Sequence, residues 1–304
     1  MTLIGTREPA SGLGSSLARA AAEIDTLFEV LLPDPPDPRR RLFAAMRHAS
    51  IGGGKRLRPL LTIASASLFG VPRPQSVRAG LAVECVHVHS LVHDDLPCMD
   101  DDDLRRGKPT VHRAFDEATA VLAGDALLAL AFGILADIRT HPDGAVRAEL
   151  AAELAKAAGA WGMAGGQMLD LLATCESENL DSITQMQRLK TGALIGWCVE
   201  AGAILGHAPA EARTSLRGYA QCLGLAFQIA DDLLDIEGAE EEVGKRLRKD
   251  DDRGRVTFLT LLGAERARRQ ADLLVEQAVE HLRCFGEQAR LLEGIARFCV
   301  NRRR

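Results

Sequence analysis

Acidic side chains gather at two places about 130 residues apart, HDDLPCMDDDD at 93–103 and ADDLLD at 230–235. Each gives an Asp-Asp pair followed by a third Asp, and each follows an apolar stretch, CVHVHSLV before the first pair and GLAFQIA before the second. Carboxylates set in hydrophobic helix sequence are costly unless something pairs with them. Hard divalent cations answer that need, and Mg²⁺ in particular is commonly held by a few carboxylates together with substrate phosphates. The chemistry this pattern points to is that of an enzyme handling a diphosphate.

The two motifs differ in geometry. Asp231 and Asp235 are four apart and share a helix face, with Asp232 beside them. A solvated acidic face is the ordinary alternative, but Phe227, Ile229, Ala230, Leu233 and Leu234 surround these acids. Asp94 and Asp100 are six apart and cannot share a face on a straight helix. Pro97 disfavours a helical residue before it and removes a donor, so the helix should end there and let the chain turn Asp100 back toward Asp94. Three histidines precede this motif. His87 and His89 are two apart and face away from each other on a helix, whereas His89 and His93 could share one ion. A transition-metal phosphohydrolase of the His-Asp type is therefore one candidate, set against packing or substrate-facing roles.

Basic groups supply the other half of a phosphate site. GGGKRLRP at 52–59 joins a glycine turn to three cations, with Lys55 and Arg58 three apart on one face. It lacks the Gly-Lys spacing and preceding strand of a Walker loop. Arg105 and Arg106 trail the first acidic motif, and Arg binds phosphate bidentately with a permanent charge. Lys190-Thr191-Gly192 falls inside a predicted helix, where Gly192 and Gly196 permit close backbone approach. Lys245, Lys249 and Arg255 lie in a late charged segment. Four cationic sites and two acidic ones describe a pocket for two diphosphates.

The elements that must carry these groups read as helices. The 304-residue chain is 47% hydrophobic but only 4% aromatic, with abundant Ala, Leu and Gly and few β-branched runs. Helical periodicity is expected over 15–31, 39–51, 57–69, 76–96, 113–138, 145–170, 182–206, 213–236 and 257–284, separated by breakers such as LPDPPDP at 32–38, GVPRP at 70–74, THPDG at 140–144 and HAPAE at 207–211. The segments 174–181 and 237–255 read as loops, and no linker divides the chain. The expectation is an all-α single domain over 1–304. The stretch 118–136 is long and apolar enough to span a bilayer, but Asp125 near its middle would cost roughly 3 kcal/mol there, so a central bundle helix is expected. A net charge of −5 argues against nucleic acid, and seven scattered cysteines without a C-x-x-C pair suit reduced thiols in a cytosol.

From GGGKRLRP through VECVHVHSLVHDDLPCMDDDDLRRGKPTVH, LAGDALL, GGQMLDL, RLKTGALI, AFQIADDLLD and GK…KDD to TLLG, the chain resembles the trans-isoprenyl diphosphate synthases, specifically the short-chain bacterial farnesyl diphosphate synthase branch. The resemblance implies an all-α bundle of ten or more helices around a central cavity, a homodimer in the cytoplasm, and a condensation of isopentenyl diphosphate with an allylic diphosphate. It implies that Asp94, Asp95, Asp100, Asp231, Asp232 and Asp235 hold about three Mg²⁺ ions. It assigns Arg105, Lys190 and Lys245 to the allylic diphosphate, with Arg255 near them. Lys55, Arg58, His87 and Arg106 fall to isopentenyl diphosphate, and Lys190, Thr191 and Gln228 to the reacting centre. His89 and Ser90 fall where the family limits chain length.

The chain departs from the family pattern at Arg255, where Lys is usual, at Ala230, where Gln is common, and at His89, where this branch often carries Tyr. The last departure leaves a twenty-carbon geranylgeranyl product as an alternative to farnesyl diphosphate. The tail NRRR is a candidate to fold over the diphosphate end. A class I terpene cyclase would carry a different second motif, and a non-catalytic synthase subunit would have lost acidic residues.

Overall fold

The computed structural model describes residues 11–173, 179–237 and 257–301. The calls at Lys245, Lys249 and Arg255, and at the arginines of the tail, lie outside them. The described chain is helical apart from one short hairpin, in agreement with the all-α reading. In order it forms α1 (Ser11–Leu31), α2 (Arg40–Ser50), α3 (Leu57–Ser67), α4 (Arg73–Asp94), β1 (Leu104–Arg105), β2 (Lys108–Pro109), α5 (Val111–Ala114), α6 (Glu117–Ala136), α7 (Gly144–Ala158), α8 (Met163–Leu172), α9 (Leu180–Gln187), a π-helical turn (Arg188–Gly192), α10 (Ala193–Leu205), α11 (Ala210–Glu237), α12 (Phe258–Leu262), α13 (Ala264–His281), a 3₁₀ segment (Arg283–Ala289) and α14 (Arg290–Asn301).

Several expected helices are shorter or broken, each for a local reason. The span 113–138 divides because Asp116 takes extended backbone and its carboxylate accepts from Thr119 N at 2.7 Å, an N-cap that starts α6 afresh. The span 145–170 breaks at Gly159–Gly162, where Gly159 takes extended backbone and a turn closed by Gly162 N donating to Gly159 O separates α7 from α8. The expected loop 174–181 is partly helix, since Asn179 caps α9 by accepting from Asp181 N and Ser182 N while Ser182 Oγ accepts from Asn179 N. The span 182–206 is interrupted by the π turn at Lys190.

Helices α3, α4 and α10 are buried over most of their length, enclosed by the others. Gly202 on α10 sits so close to α3 that a Cβ there would meet Ala66 N, and Ser65 Oγ donates across the same crossing to Val199 O at 2.6 Å. α4 in turn packs along α6, with α2 and α7 beside it. Among the described residues α6 is the one helix long and apolar enough to cross a membrane. Its Thr119, Ala123, Leu127, Ala131 and Ile134 are buried inside the bundle. One buried cluster runs continuously from Ala20 on α1 to Cys299 on α14.

Arg56 pins the end of this bundle that carries the charged motifs. It is 2% exposed, adopts a left-handed backbone conformation (φ 50°), and donates to Glu84 and Asp25 at 2.7 Å each and to the Ser50 carbonyl. Glu84 is itself 2% exposed. Arg56→Leu should lower unfolding free energy by about 3–5 kcal/mol, because it strands a buried carboxylate without its partner. Urea denaturation checks this, and a loss under about 1 kcal/mol would mean that the network is incidental to stability.

Candidate active site

The first acidic motif closes α4. The helix ends at Asp94, and the chain then folds back so that Asp100 N donates to Asp94 O at 2.8 Å, Asp101 N to Leu96 O at 3.1 Å and Asp102 N to Asp95 O at 3.2 Å. The expected return of Asp100 toward Asp94 is therefore a hydrogen-bonded turn. Burial raises the Asp94 pKa from its ordinary 3.8 to about 6, with the Asp100 and Asp95 charges adding to the rise and Lys190 and Arg105 opposing it. Asp95 points the other way and is 3% exposed. Arg105 grips it, with Nε and Nη2 both donating at 2.7 Å to Oδ1.

The RRG that trails this motif is a two-residue hairpin. Leu104 pairs with Pro109 and Arg105 with Lys108, while Arg106 and Gly107 take left-handed backbone at φ 54° and 73°. This turn sends Arg105 back to Asp95 and Arg106 toward the glycines of GGGKRLRP. A Cβ on Gly54 (φ 82°) would fall 2.6 Å from Arg106 Nη2, and one on Gly53 would fall 3.0 Å from its Cδ. The glycine turn thus makes room for a guanidinium of its own chain. Lys55 precedes α3, so it and Arg58 do not share a helix face as expected; the turn at Arg56 brings both to one cavity.

That cavity, of about 380 Å³, is lined by Lys55, Arg58, His87, Arg105, Arg106 and Asp231 among others. His87 is half-buried, and desolvation followed by the positive charges of Arg58, Arg106, Arg105 and Arg56 holds its pKa well below 6.5, leaving a neutral imidazole amid arginines. Burial, together with Arg56, Arg105 and Arg58, lowers the Arg106 pKa, against Glu84. The Nε of Arg58 is buried and makes no hydrogen bond to another described group. Such a concentration of cations suits an anion with several oxygens.

A second cavity, of about 390 Å³, shares Arg58, His87, Leu91 and Thr191 with the first and adds Asp94, His89, Ser90, His93, Met163 and Leu171. Its lining combines these charged and polar groups with Leu91, Met99, Met168 and Leu194. Lys190 and Thr191 reach its wall from the π turn, whose extra residue redirects them relative to the flanking helices. Close packing holds this turn on two sides: a Cβ on Gly166 of α8 would meet the Lys190 backbone, and Gly224 of α11 crosses over Gly192. It is Gly224 that permits this approach: a Cβ at Gly192 would meet only the Gln187 carbonyl at 3.6 Å, and nothing lies within 4 Å of one at Gly196.

On α11 the three aspartates diverge. Asp231 faces the cationic cavity, while Asp232 (6% exposed) accepts from Gln228 Nε2 at 2.9 Å and from Phe258 N, at the start of α12, at 3.1 Å. Thr191 Oγ1 donates to Gln228 Oε1 at 3.0 Å, so a chain of hydrogen bonds runs from Thr191 through Gln228 to Asp232. Asp235 is buried one turn beyond Asp231. Two groups of the site escaped the reading of the sequence. Asp170 accepts from Lys190 Nζ at 2.7 Å, and Gln167 lines the second cavity with its buried Nε2 unbonded among the described groups. Their signal was there in MAGGQMLDLL, two polar residues three apart in an otherwise apolar helix.

The raised Asp94 pKa has a consequence for stability. Folding disfavours the ionised carboxylate, so the penalty is absent below the ordinary pKa of 3.8 and complete above the folded value of about 6. Asp94→Asn should therefore stabilise the Mg²⁺-free protein by about 1–3 kcal/mol at about pH 8. That gain should shrink toward zero as pH falls to about 4, as followed by urea denaturation across pH. A pH-independent effect would contradict the buried charge.

The geometry has counterparts. The polyprenyl synthetase family model matches residues 39–292. A farnesyl diphosphate synthase of Bacillus subtilis is 45% identical over 249 residues, 81% of this chain and 82% of that protein. Geranylgeranyl pyrophosphate synthase 11 of Arabidopsis thaliana is 41% identical over 285 residues, 92% of this chain and 79% of that protein. The apo crystal structure of an FPP/GFPP synthase from Zymomonas mobilis superposes with a TM-score of 0.87 at 53% identity, covering 95% of this chain and 98% of that one. With two aspartate motifs, an arginine cluster and a cavity walled in part by methionine and leucine in one helical fold, the chain belongs to the polyprenyl synthetase family.

Proposed function

We propose that the protein is a short-chain prenyltransferase that condenses isopentenyl diphosphate with dimethylallyl and geranyl diphosphates, with farnesyl diphosphate as its principal product. The observation that carries this reading is the pair of joined cavities, one rich in arginine and carboxylate and the other combining Asp94 and Lys190 with methionine and leucine walls. A diphosphate with a hydrocarbon tail is the ligand whose two halves fit those two environments.

The donor set suits Mg²⁺, since the six aspartates offer only carboxylate oxygens and the partly buried Asp94 gains from a cation beside it. About three Mg²⁺ would balance the six aspartates. Asp94, Asp100, Asp231 and Asp235 would hold the metal, and Asp95 and Asp232 would join after yielding Arg105 and Gln228. When bound, Mg²⁺ offsets charge on the departing diphosphate. Lys190, Arg105, Lys245 and Arg255 would bind that same group, while Lys55, Arg58, Arg106 and neutral His87 would seat isopentenyl diphosphate.

The allylic C–O bond breaks with its electron pair leaving on the diphosphate. Thr191 Oγ1 and Gln228 Oε1, oriented through Asp232, place oxygen dipoles toward the allylic cation. The isopentenyl double bond attacks that cation to form the new C–C bond, and the released diphosphate removes the final proton. Leucine and methionine walls keep water from the cation.

His89 and Ser90 stand at the cavity wall where chain length would be set. His89 is smaller and more polar than Tyr, which supports the twenty-carbon product as the second reading. An exposed stripe on α6, formed by Ala118, Val121, Leu122, Ala129 and Gly133, supports a homodimer of single-domain protomers. The free thiols among the described residues support the cytoplasm as its location.

Purified protein with Mg²⁺, isopentenyl diphosphate and each allylic starter should give fifteen-carbon products by mass spectrometry; no elongation from any starter would overturn the reading. Asp94→Ala or Asp231→Ala should cut turnover on the order of 10²–10³-fold with the fold intact by circular dichroism. Full activity in either variant would contradict the metal role. His89→Tyr should shorten the products or sharpen them to fifteen carbons, and an unchanged distribution would place the floor elsewhere.

A further inference from the structure

The prenyl-transfer reading gives His93 and Asp125 no part and uses His89 only as cavity wall. His89 and His93 are one turn apart on α4, with ring centroids 4.5 Å apart. Across from them, Asp125 of α6 brings Oδ1 to 3.9 Å from His93 Nε2. One ligand atom from each of the three residues lies within 4.8 Å of the other two.

Gly124 makes the approach possible, since a Cβ there would occupy the place of the His93 ring. His93 Nε2 also lies 3.1 Å from the Val121 carbonyl. The Nδ1 of His89 is buried and makes no hydrogen bond among the described residues. A buried imidazole nitrogen with nothing to bond is an unusual cost unless a ligand takes it.

We propose that His89, His93 and Asp125 form a second metal site, for a zinc-class transition ion, that ties α4 to α6 at the wall of the second cavity. Two imidazole nitrogens and one carboxylate oxygen suit Zn²⁺, whereas Mg²⁺ favours the all-oxygen set of the aspartate motifs. In a tetrahedral site with bonds of about 2.1 Å the ligand atoms stand about 3.4 Å apart, so small side-chain rotations from the observed spacing complete it. The site stands on this geometry and does not depend on the prenyl-transfer reading.

The test titrates the full chain with Zn²⁺ in a large excess of Mg²⁺, by calorimetry, and with Co²⁺ as a spectroscopic probe. A single Zn²⁺ should bind per chain, with Co²⁺ giving the strong visible absorption of a four-coordinate nitrogen-containing site. Asp125→Asn and His89→Gln should each weaken Zn²⁺ binding about 10–100-fold. Asp125 is exposed, so its variant should fold even if a change at His89 disturbs packing, and thermal melting checks both. Asp231→Ala should leave Zn²⁺ affinity unchanged. The proposal is overturned if excess Mg²⁺ abolishes Zn²⁺ binding, if Asp231→Ala removes it, or if Asp125→Asn leaves the affinity as it was.

Discussion

The partial burial of Asp94 at the end of α4, with buried Asp95 and Asp100 close by, is the constraint around which the charged end of this bundle is organised. A carboxylate in that position loses water and meets like charge, so the neighbouring elements bring cations to it. The hairpin returns Arg105 to Asp95, and the π turn delivers Lys190, whose charge acts on Asp94 while its ammonium bonds Asp170. Those cations then crowd one another around His87, which is kept neutral. The result is a site whose internal charges are matched only in part, with acid and base arranged to accept a multivalent ligand of either sign.

Arg56 shows the opposite use of the same residue type. It lies in the same basic run as Lys55 and Arg58, yet its guanidinium is spent entirely on Asp25, Glu84 and the Ser50 carbonyl. The run therefore divides its labour, with one cation fixing the turn so that its neighbours can face the cavity. A left-handed backbone at Arg56 is what sets that division.

Much of this was legible in the sequence. The helical class followed from periodicity and composition, and Pro97 announced the break that returns Asp100 to Asp94. The helix boundaries that failed were those decided by a side chain bonding backbone, as at Asp116 and Asn179, or by glycines such as Gly159 and Gly162. The cationic cluster was found by residue type, but the reason for the glycines at 53 and 54 was not, because it lies in a guanidinium fifty residues later. Asp170 was missed because its partner, Lys190, belongs to a turn whose π geometry leaves no mark on hydrophobic spacing.

The π turn carries a further implication. An α-helix transmits register rigidly, so a one-residue insertion ordinarily rotates everything beyond it by about 100°. Here the added residue is absorbed within Arg188–Gly192, and α9 and α10 each keep their apolar faces to the core. The phase of the packing helices is thereby uncoupled from the phase of the two polar side chains between them. Removing one residue from this turn would restore an unbroken helix that packs well and faces Lys190 and Thr191 the wrong way, so sequence length at this point is itself under chemical constraint.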